Sequence, residues 1–336
     1  LAQDLLDQCA QHPELRRVLV GLHPRREFTE IDLDRCIALL EDTDTSSWMY
    51  EPILWRDDYA DLPRARVLDL AQRLLSKPNG DVVVLKALTM RLYSEKEVVD
   101  SLGPDFRLVG LRAAIQRFSS SDRDSGGSMD HHMARVVSTA LRFDGNEAEK
   151  LEWLDMIFSV VDENYGYIHD FEKSIETTAA LMSEAFLDRI FEGTEEQQRW
   201  RLFFINRGGL RRTPLAKIDV NDLIEWCRSR NETRVWVAVA KGVRLWSKDE
   251  GTITISESAI RLLEAAPDPV AILEVFAERV TPSSWSGSRA NAMQPRADAI
   301  RGVVEHGCPN IAMAAKSVSA KLAEWIEYEK LREQRD

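Results

Sequence analysis

Apolar residues recur along this chain at steps of three and four, the spacing of helices that bury one face. Residues 62–76 set Leu62, Ala65, Val67, Leu68, Leu70, Ala71, Leu74 and Leu75 on one stripe, with Arg and Asp between. Residues 151–161 do the same with Leu151, Leu154, Ile157, Phe158 and Val161. Phe171, Ile175, Ala179, Met182, Phe186 and Ile190 predict one long, unbroken stripe over 171–190. No proline lies between Pro104 and Pro214, so helix can follow helix there without a breaker. The chain opens on a further amphipathic stretch, Leu1, Leu5, Leu6 and Cys9. A chain that opens inside a helix is expected to be a piece of something longer.

Strand signals are few. Val235, Val237 and Val239 alternate with Trp236 and Ala238, but the same window fits a helix through Trp236, Val239, Ala240 and Val243, and helix is preferred. Ile253 and Ile255 are ambiguous. Two stretches read as connections. Residues 119–129 hold Ser, Asp and Gly with almost no apolar side chain, too little to offset ordering entropy. Residues 207–214 place Gly after one helix and Pro before the next. These breaks divide the chain into an N-terminal helical region (1–118), a central acidic helical region (130–206) and a C-terminal region (215–336).

The C-terminal region repeats. Asp268-Pro269-Val270-Ala271-Ile272-Leu273 and Cys308-Pro309-Asn310-Ile311-Ala312-Met313 are similar helix starts, each with Pro in the first turn, where its missing N–H costs nothing. They lie 40 residues apart, and a looser start, Asn231-Glu232-Thr233-Arg234-Val235-Trp236, lies 38 residues before Pro269. A period near 40 is that of a HEAT-like helical pair, which buries its apolar face only by stacking on neighbours. The expected fold is therefore all-α: a solenoid of antiparallel helix pairs, HEAT-like toward the C-terminus.

Charge narrows the partners. With 44 Lys and Arg against 56 Asp and Glu, the net charge is −12, and the bulk field repels phosphate, so nucleic acid is disfavoured. Residues 151–200 alone carry 12 acidic against 3 basic side chains; they read as a solvated helical face, or as a surface for a basic partner. Cys9, Cys36, Cys227 and Cys308 are too scattered for a zinc or redox pair and read as free thiols. No apolar run reaches the length of a spanning helix, and no signal peptide is visible.

One resemblance is specific enough to name. Asn221-Asp222-Leu223-Ile224-Glu225-Trp226-Cys227 is followed by Glu232-Thr233-Arg234, Ala266-Pro267-Asp268-Pro269 and Pro282-Ser283-Ser284-Trp285-Ser286-Gly287-Ser288. This order resembles the C-terminal helical-repeat region of large bacterial proteins that carry an N-terminal effector and often a STAND-type ATPase, many of them associated with anti-phage defence. The charged end, Glu327 to Glu333, suits that pattern too. The resemblance covers about residues 215–336. It implies a cytoplasmic sensor or scaffold, with the effector carried elsewhere, and it brings no catalytic residues.

Candidate chemistry is sparse. Neither phosphate-cradling glycine motif is present, nor HExxH, nor GxSxG. Asp130-His131-His132 spells the short signature of metal-dependent phosphoesterases, but no DxD partner precedes it; Asp130 is expected to cap its own helix instead. Arg301 and His306 match the R-x4-H spacing of HEPN ribonucleases, in which His performs acid–base work and Arg holds phosphate. Against this, Gly302 stands where those enzymes carry a polar residue. The alternative packs Val303 and Val304 inward and pairs Arg301 with Glu305. Trp285 reads either as an exposed anchor for a partner or as a plug between helices. Trp48, Trp55, Trp226, Trp236, Trp246 and Trp325 are expected in the core. Arg207, Arg211 and Arg212, with Lys217, form a small basic cluster that could meet phosphate or an acidic protein.

The reading reached is a non-catalytic helical scaffold or sensor region, with no catalytic, cofactor or metal site and no cofactor. Its expected partner is a protein, either the effector module of the same protein or a foreign protein. No membrane is involved, and homo-oligomers would form through the missing modules. The interaction residues put forward are Trp285, Arg207, Arg211 and Arg212. The competing reading is a nuclease or phosphoesterase using Arg301 and His306, or Asp130, His131 and His132.

Overall fold

The computed structural model describes residues 2–12, 15, 20, 28–41, 45–54, 62–94, 103–120, 128–163, 168–206, 213–230, 232–249, 251–282 and 284–335. Leu1, Trp55, most of the 119–129 and 207–214 connections and the basic cluster at Arg207, Arg211 and Arg212 lie outside the described residues. The fold is all-α and built from helical repeats. It divides into two compact units, Leu1–Leu181 and Met182–Asp336, a division that falls inside the 130–206 region.

The first unit contains α1 (Ala2–Gln11), α2 (Glu30–Leu39), α3 (Glu51–Leu54), α4 (Arg64–Leu74), α5 (Gly80–Ser94), α6 (Gly103–Ser119), α7 (Ser128–Leu141), α8 (Glu147–Asp162) and α9 (Glu172–Leu181). Alternate helices pack on each other. One row runs α2, α4, α6, α8 and the other runs α3, α5, α7, α9, with α4 on α5 and α6 on α7 joining the rows. The repeats therefore extend through residues that match no helical pair by sequence. Where α5, α6 and α7 meet, Gly110 allows the approach: a Cβ there would stand 2.5 Å from Val136 Cγ1. Phe118, Trp153 and Phe171 form the aromatic centre, with ring centroids 5.3 and 4.8 Å apart around Phe118. The Trp153 indole N–H donates to Thr178 Oγ1 at 2.8 Å, so the buried indole keeps its hydrogen bond.

The second unit contains α10 (Ser183–Phe191), α11 (Glu195–Asn206), α12 (Val220–Arg230), α13 (Thr233–Gly242), α14 (Glu257–Ala265), α15 (Pro269–Glu278), α16 (Arg289–Gly302) and α17 (Pro309–Glu333). A hairpin of β1 (Trp246–Asp249) and β2 (Thr252–Ile255) follows α13, pairing Trp246 with Ile255 and Asp249 with Thr252. The ambiguous Ile253 and Ile255 are thus strand, and the valine run 235–239 is helix. Again there are two rows: α10, α12, α14 and α11, α13, α15, α17. The pairs α10/α11, α12/α13 and α14/α15 join them, while α16 packs on β2, α15 and α17. The proline starts found in the sequence open α15 and α17, and the looser start opens α13, so all three mark one row. Asp268 caps α15 by accepting from the Ala271 N–H at 3.1 Å, with Pro269 in the first turn.

Two expectations are corrected. The stripe over 171–190 is not one helix. Phe171 belongs to a 3-10 turn, α9 ends at Leu181, and Met182 leaves helical geometry at φ −126° and ψ 44° before α10 begins. No glycine or proline announces this break. Nor are all the tryptophans core. Trp226 and Trp236 are buried, Trp246 and Trp325 are half-buried, and Trp48 is 41% exposed, lying under the Lys86 ammonium at 4.7 Å.

Candidate functional site

Successive helices of one row are braced by polar side chains about one repeat apart. In the first unit Thr89 Oγ1 donates to the His132 carbonyl and Arg135 to the Leu92 carbonyl, both tying α5 to α7. In the second, Ser183 Oγ donates to Asp222 at 2.9 Å, and the Asp188 carboxylate accepts from the Trp226 indole at 2.8 Å and from Arg230. These bonds tie α10 to α12. One repeat on, Arg261 donates to Asn221 Oδ1 and ties α12 to α14.

Between α12 and α14 lies an open groove of about 260 Å³, lined by Asn221, Ile224, Glu225 and Arg228 from α12 and by Arg261, Glu264 and Ala265 from α14. The α12 residues fall at steps of three and four, one face of that helix. Ile224 and Ala265 are apolar and the remainder are polar. Arg261 is held by Asn221, and Glu264 by His306. Glu225 and Arg228 have no ion pair or hydrogen-bond partner among the described residues. Sequence reasoning missed this groove, because Glu225 and Arg228 look like any solvated pair on a helix surface.

His306 borders the same region. Its Nε2 lies 2.9 Å from Glu264 Oε1, and its Nδ1 accepts the Cys308 backbone N–H at 3.1 Å. A ring that accepts at Nδ1 carries its proton at Nε2, so the imidazole donates to Glu264. Arg301 is exposed and pairs with Asp298 one turn back. The pairing with Glu305 is corrected: Glu305 sits in a 3-10 turn that breaks the i,i+4 register, and only Val303 of the two valines is buried. Arg301 and His306 thus bond to different partners.

Asp130 caps a helix, but not its own. It lies in the first turn of α7, and its buried carboxylate reaches across to α9, accepting from the Lys173 N–H at 2.8 Å, the Ser174 N–H at 2.9 Å and Ser174 Oγ at 2.7 Å. Burial pushes its carboxyl above the usual range, against the pull of those bonds. His131 is exposed, and desolvation lowers the neighbouring His132. The two rings stand 6.1 Å apart edge to face. Among the described residues no group of three His, Cys, Asp or Glu could hold a metal ion, and no helix is long and apolar enough to cross a membrane. Cys227 is buried, its thiol pushed up to about 12 by desolvation, so it is inert at neutral pH.

Trp285 is 47% exposed, in a turn where Gly287 takes φ +75° and Ser288 caps α16 through the Asn291 N–H. The Arg289 guanidinium lies 5.5 Å from its ring and 5.9 Å from that of Trp325 on α17. The same corner is locked by Glu333, whose carboxylate accepts from Ser288 Oγ and from the Arg289 and Ala290 N–H groups at the start of α16. Those bonds, the Ser288 hydroxyl first, hold its carboxyl below the usual value. A depressed carboxylate stabilises the folded state above its unfolded value, and that contribution is lost as pH falls through the folded one. Between about pH 5 and pH 3 the wild type should therefore lose more melting temperature than Glu333→Gln, as followed by circular dichroism; parallel curves would show that the lock contributes nothing.

No family model, curated protein or solved structure matches this chain.

Proposed function

We propose that this chain is a non-catalytic recognition scaffold: stacked helical pairs that offer a shaped surface to another protein, the bond-making chemistry of the assembly being carried elsewhere. The observation behind this reading is the bracing of α10, α12 and α14 by side chains one repeat apart, beside a groove left open between α12 and α14. A surface fixed in advance loses little entropy when a partner docks, and stacked repeats build extended surfaces of this kind. The resemblance of residues 221–288 to the C-terminal regions of STAND-type and effector-type defence proteins supports a further step. On it, the chain is the cytoplasmic sensor of a larger bacterial protein, recognising a foreign or partner protein and controlling the effector.

Two assays on the purified chain test this. End-labelled RNA incubated with magnesium or manganese should remain intact, and random-peptide display on the folded chain should select related peptides that bind saturably. Cleavage that disappears in His306→Ala or in His131→Ala overturns the reading in favour of a nuclease. Display that enriches nothing above a denatured control also overturns it.

A further inference from the structure

Large exposed apolar side chains stand singly on the described helices, except on α17, which carries three: Met313 at 70%, Tyr328 at 63% and Leu331 at 48% exposure. One such residue is ordinary, but several along one helix mark an interaction surface. At about 100° per residue, Met313, Ala320, Glu324 and Leu331 fall within about 20° of one line down α17. Ser317 and Tyr328 flank that line on one side, Lys316 and Glu327 on the other, and all of these residues are exposed. Val318, Leu322 and Ile326, on the opposite side, are buried in the unit.

The exposed face mirrors itself about a midpoint level with Leu322. Met313 and Leu331 stand nine residues to either side, Ala320 and Glu324 two, and Lys316 mirrors Glu327 with its charge reversed. Lys316 and Glu324 have no ion pair or hydrogen bond among the described residues, and Glu327 has Lys330 of its own helix at 3.6 Å. A two-fold axis at the midpoint lays a second α17 antiparallel on the first, so that each residue meets its counterpart from the other arm. Met313 then packs on the second copy's Leu331, Tyr328 crosses the second copy's Ser317, and Lys316 pairs with the second copy's Glu327, each contact being made twice. Glu324 comes level with the second copy's Lys321, and the small Ala320 beside the axis lets the helices approach to the roughly 8–10 Å of packed pairs. A parallel pair would instead set Lys316 on Lys316 and Glu327 on Glu327, like charge on like.

We propose that a second copy of this chain covers this face, joining two chains through antiparallel α17 helices. A second copy is the occupant because the face complements itself, apolar end against apolar end and lysine against glutamate. This contact does not depend on the recognition reading above. A helix of 25 residues runs about 37 Å. Pairing along that length buries an area at the lower end for stable dimers, which sets Kd on the order of 10 μM.

Sedimentation equilibrium of the full chain, from about 1 μM to about 200 μM, brackets that Kd and tests the dimer. The mass should rise from one chain to two across this range. Met313→Glu should weaken association at least tenfold. Lys316→Glu and Glu327→Lys should each weaken it at least fivefold, and the two combined in one chain should return it to the wild-type value. Positions 316 and 327 lie about 16 Å apart along their own helix, too far to pair within one chain, so recovery reports antiparallel contact between copies. All three side chains are exposed, and unchanged circular dichroism of each variant shows that the fold is intact. A single-chain mass at every concentration overturns the proposal and leaves the recognition scaffold standing. Association undiminished in Met313→Glu, or a double variant that associates no better than the single ones, also overturns it.

Discussion

Asp130→Ala will unfold the first unit more readily, by about 3 kcal/mol in urea denaturation, because it strands three donors at once, two of them buried. The carboxylate accepts from both the Lys173 and Ser174 N–H groups at the start of α9, and Ser174 is fully buried, so water cannot replace the acceptor there. Asp130→Asn keeps one acceptor oxygen and should lose roughly a third as much. His131→Ala, at an exposed position, should stay within about 0.5 kcal/mol of wild type. A metal-binding Asp-His-His would give the opposite ranking, with His131→Ala abolishing any metal-dependent stabilisation. The pH dependence is a second check. Burial raises the Asp130 carboxyl above its unfolded value, so its contribution is greatest below the unfolded value and declines as pH rises through the folded one. That slope should vanish in Asp130→Asn. A flat response in wild type, or Asp130→Ala no less stable than His131→Ala, would remove the cross-helix cap from this account.

The sequence made some of this architecture legible and hid the rest for physical reasons. Pro269 and Pro309 mark helix starts because a first-turn proline is a local signal that needs no tertiary context. They revealed the period of the row α13, α15, α17. The other row has a steadier period, with α10, α12 and α14 opening at Ser183, Val220 and Glu257, each 37 residues on. Those three openings share neither residue type nor burial, so no local signal reveals the period. The break at Met182 was hidden for the same reason: it carries no breaker, and the side chains on either side keep one apolar stripe. Asp130 was legible as a cap, since a carboxylate at a helix start is a reliable signal. Which helix it caps depends on the packing of α7 against α9, about one repeat away in sequence. The groove at Glu225 was not legible at all. An acidic side chain beside an arginine on an amphipathic helix is an ordinary solvated pattern, and the groove exists only through the packing of α12 against α14.

The corner where α16 meets α17 tests how far this unit depends on a buried charge. Glu329 is 3% exposed and is held by Arg289 at 3.1 Å and by Arg332 at 3.5 Å. Removing Arg289 leaves the buried carboxylate only the more distant and half-exposed Arg332, and an under-compensated buried charge costs far more than the pair contributes when intact. Arg289→Ala also removes the guanidinium that stands between Trp285 and Trp325. The expected loss is about 3 kcal/mol, or roughly 10 °C in the melting of a unit of this size. Neutralising the stranded acid should then restore stability: Arg289→Ala with Glu329→Gln is expected to recover at least half of the loss, although Glu329→Gln alone destabilises the native pair. That reversal of sign distinguishes an uncompensated charge from lost packing around the tryptophans, which a second substitution at Glu329 would leave unrepaired. If the double variant melts no higher than Arg289→Ala, the corner is held by the indoles, and Glu329 is a bystander.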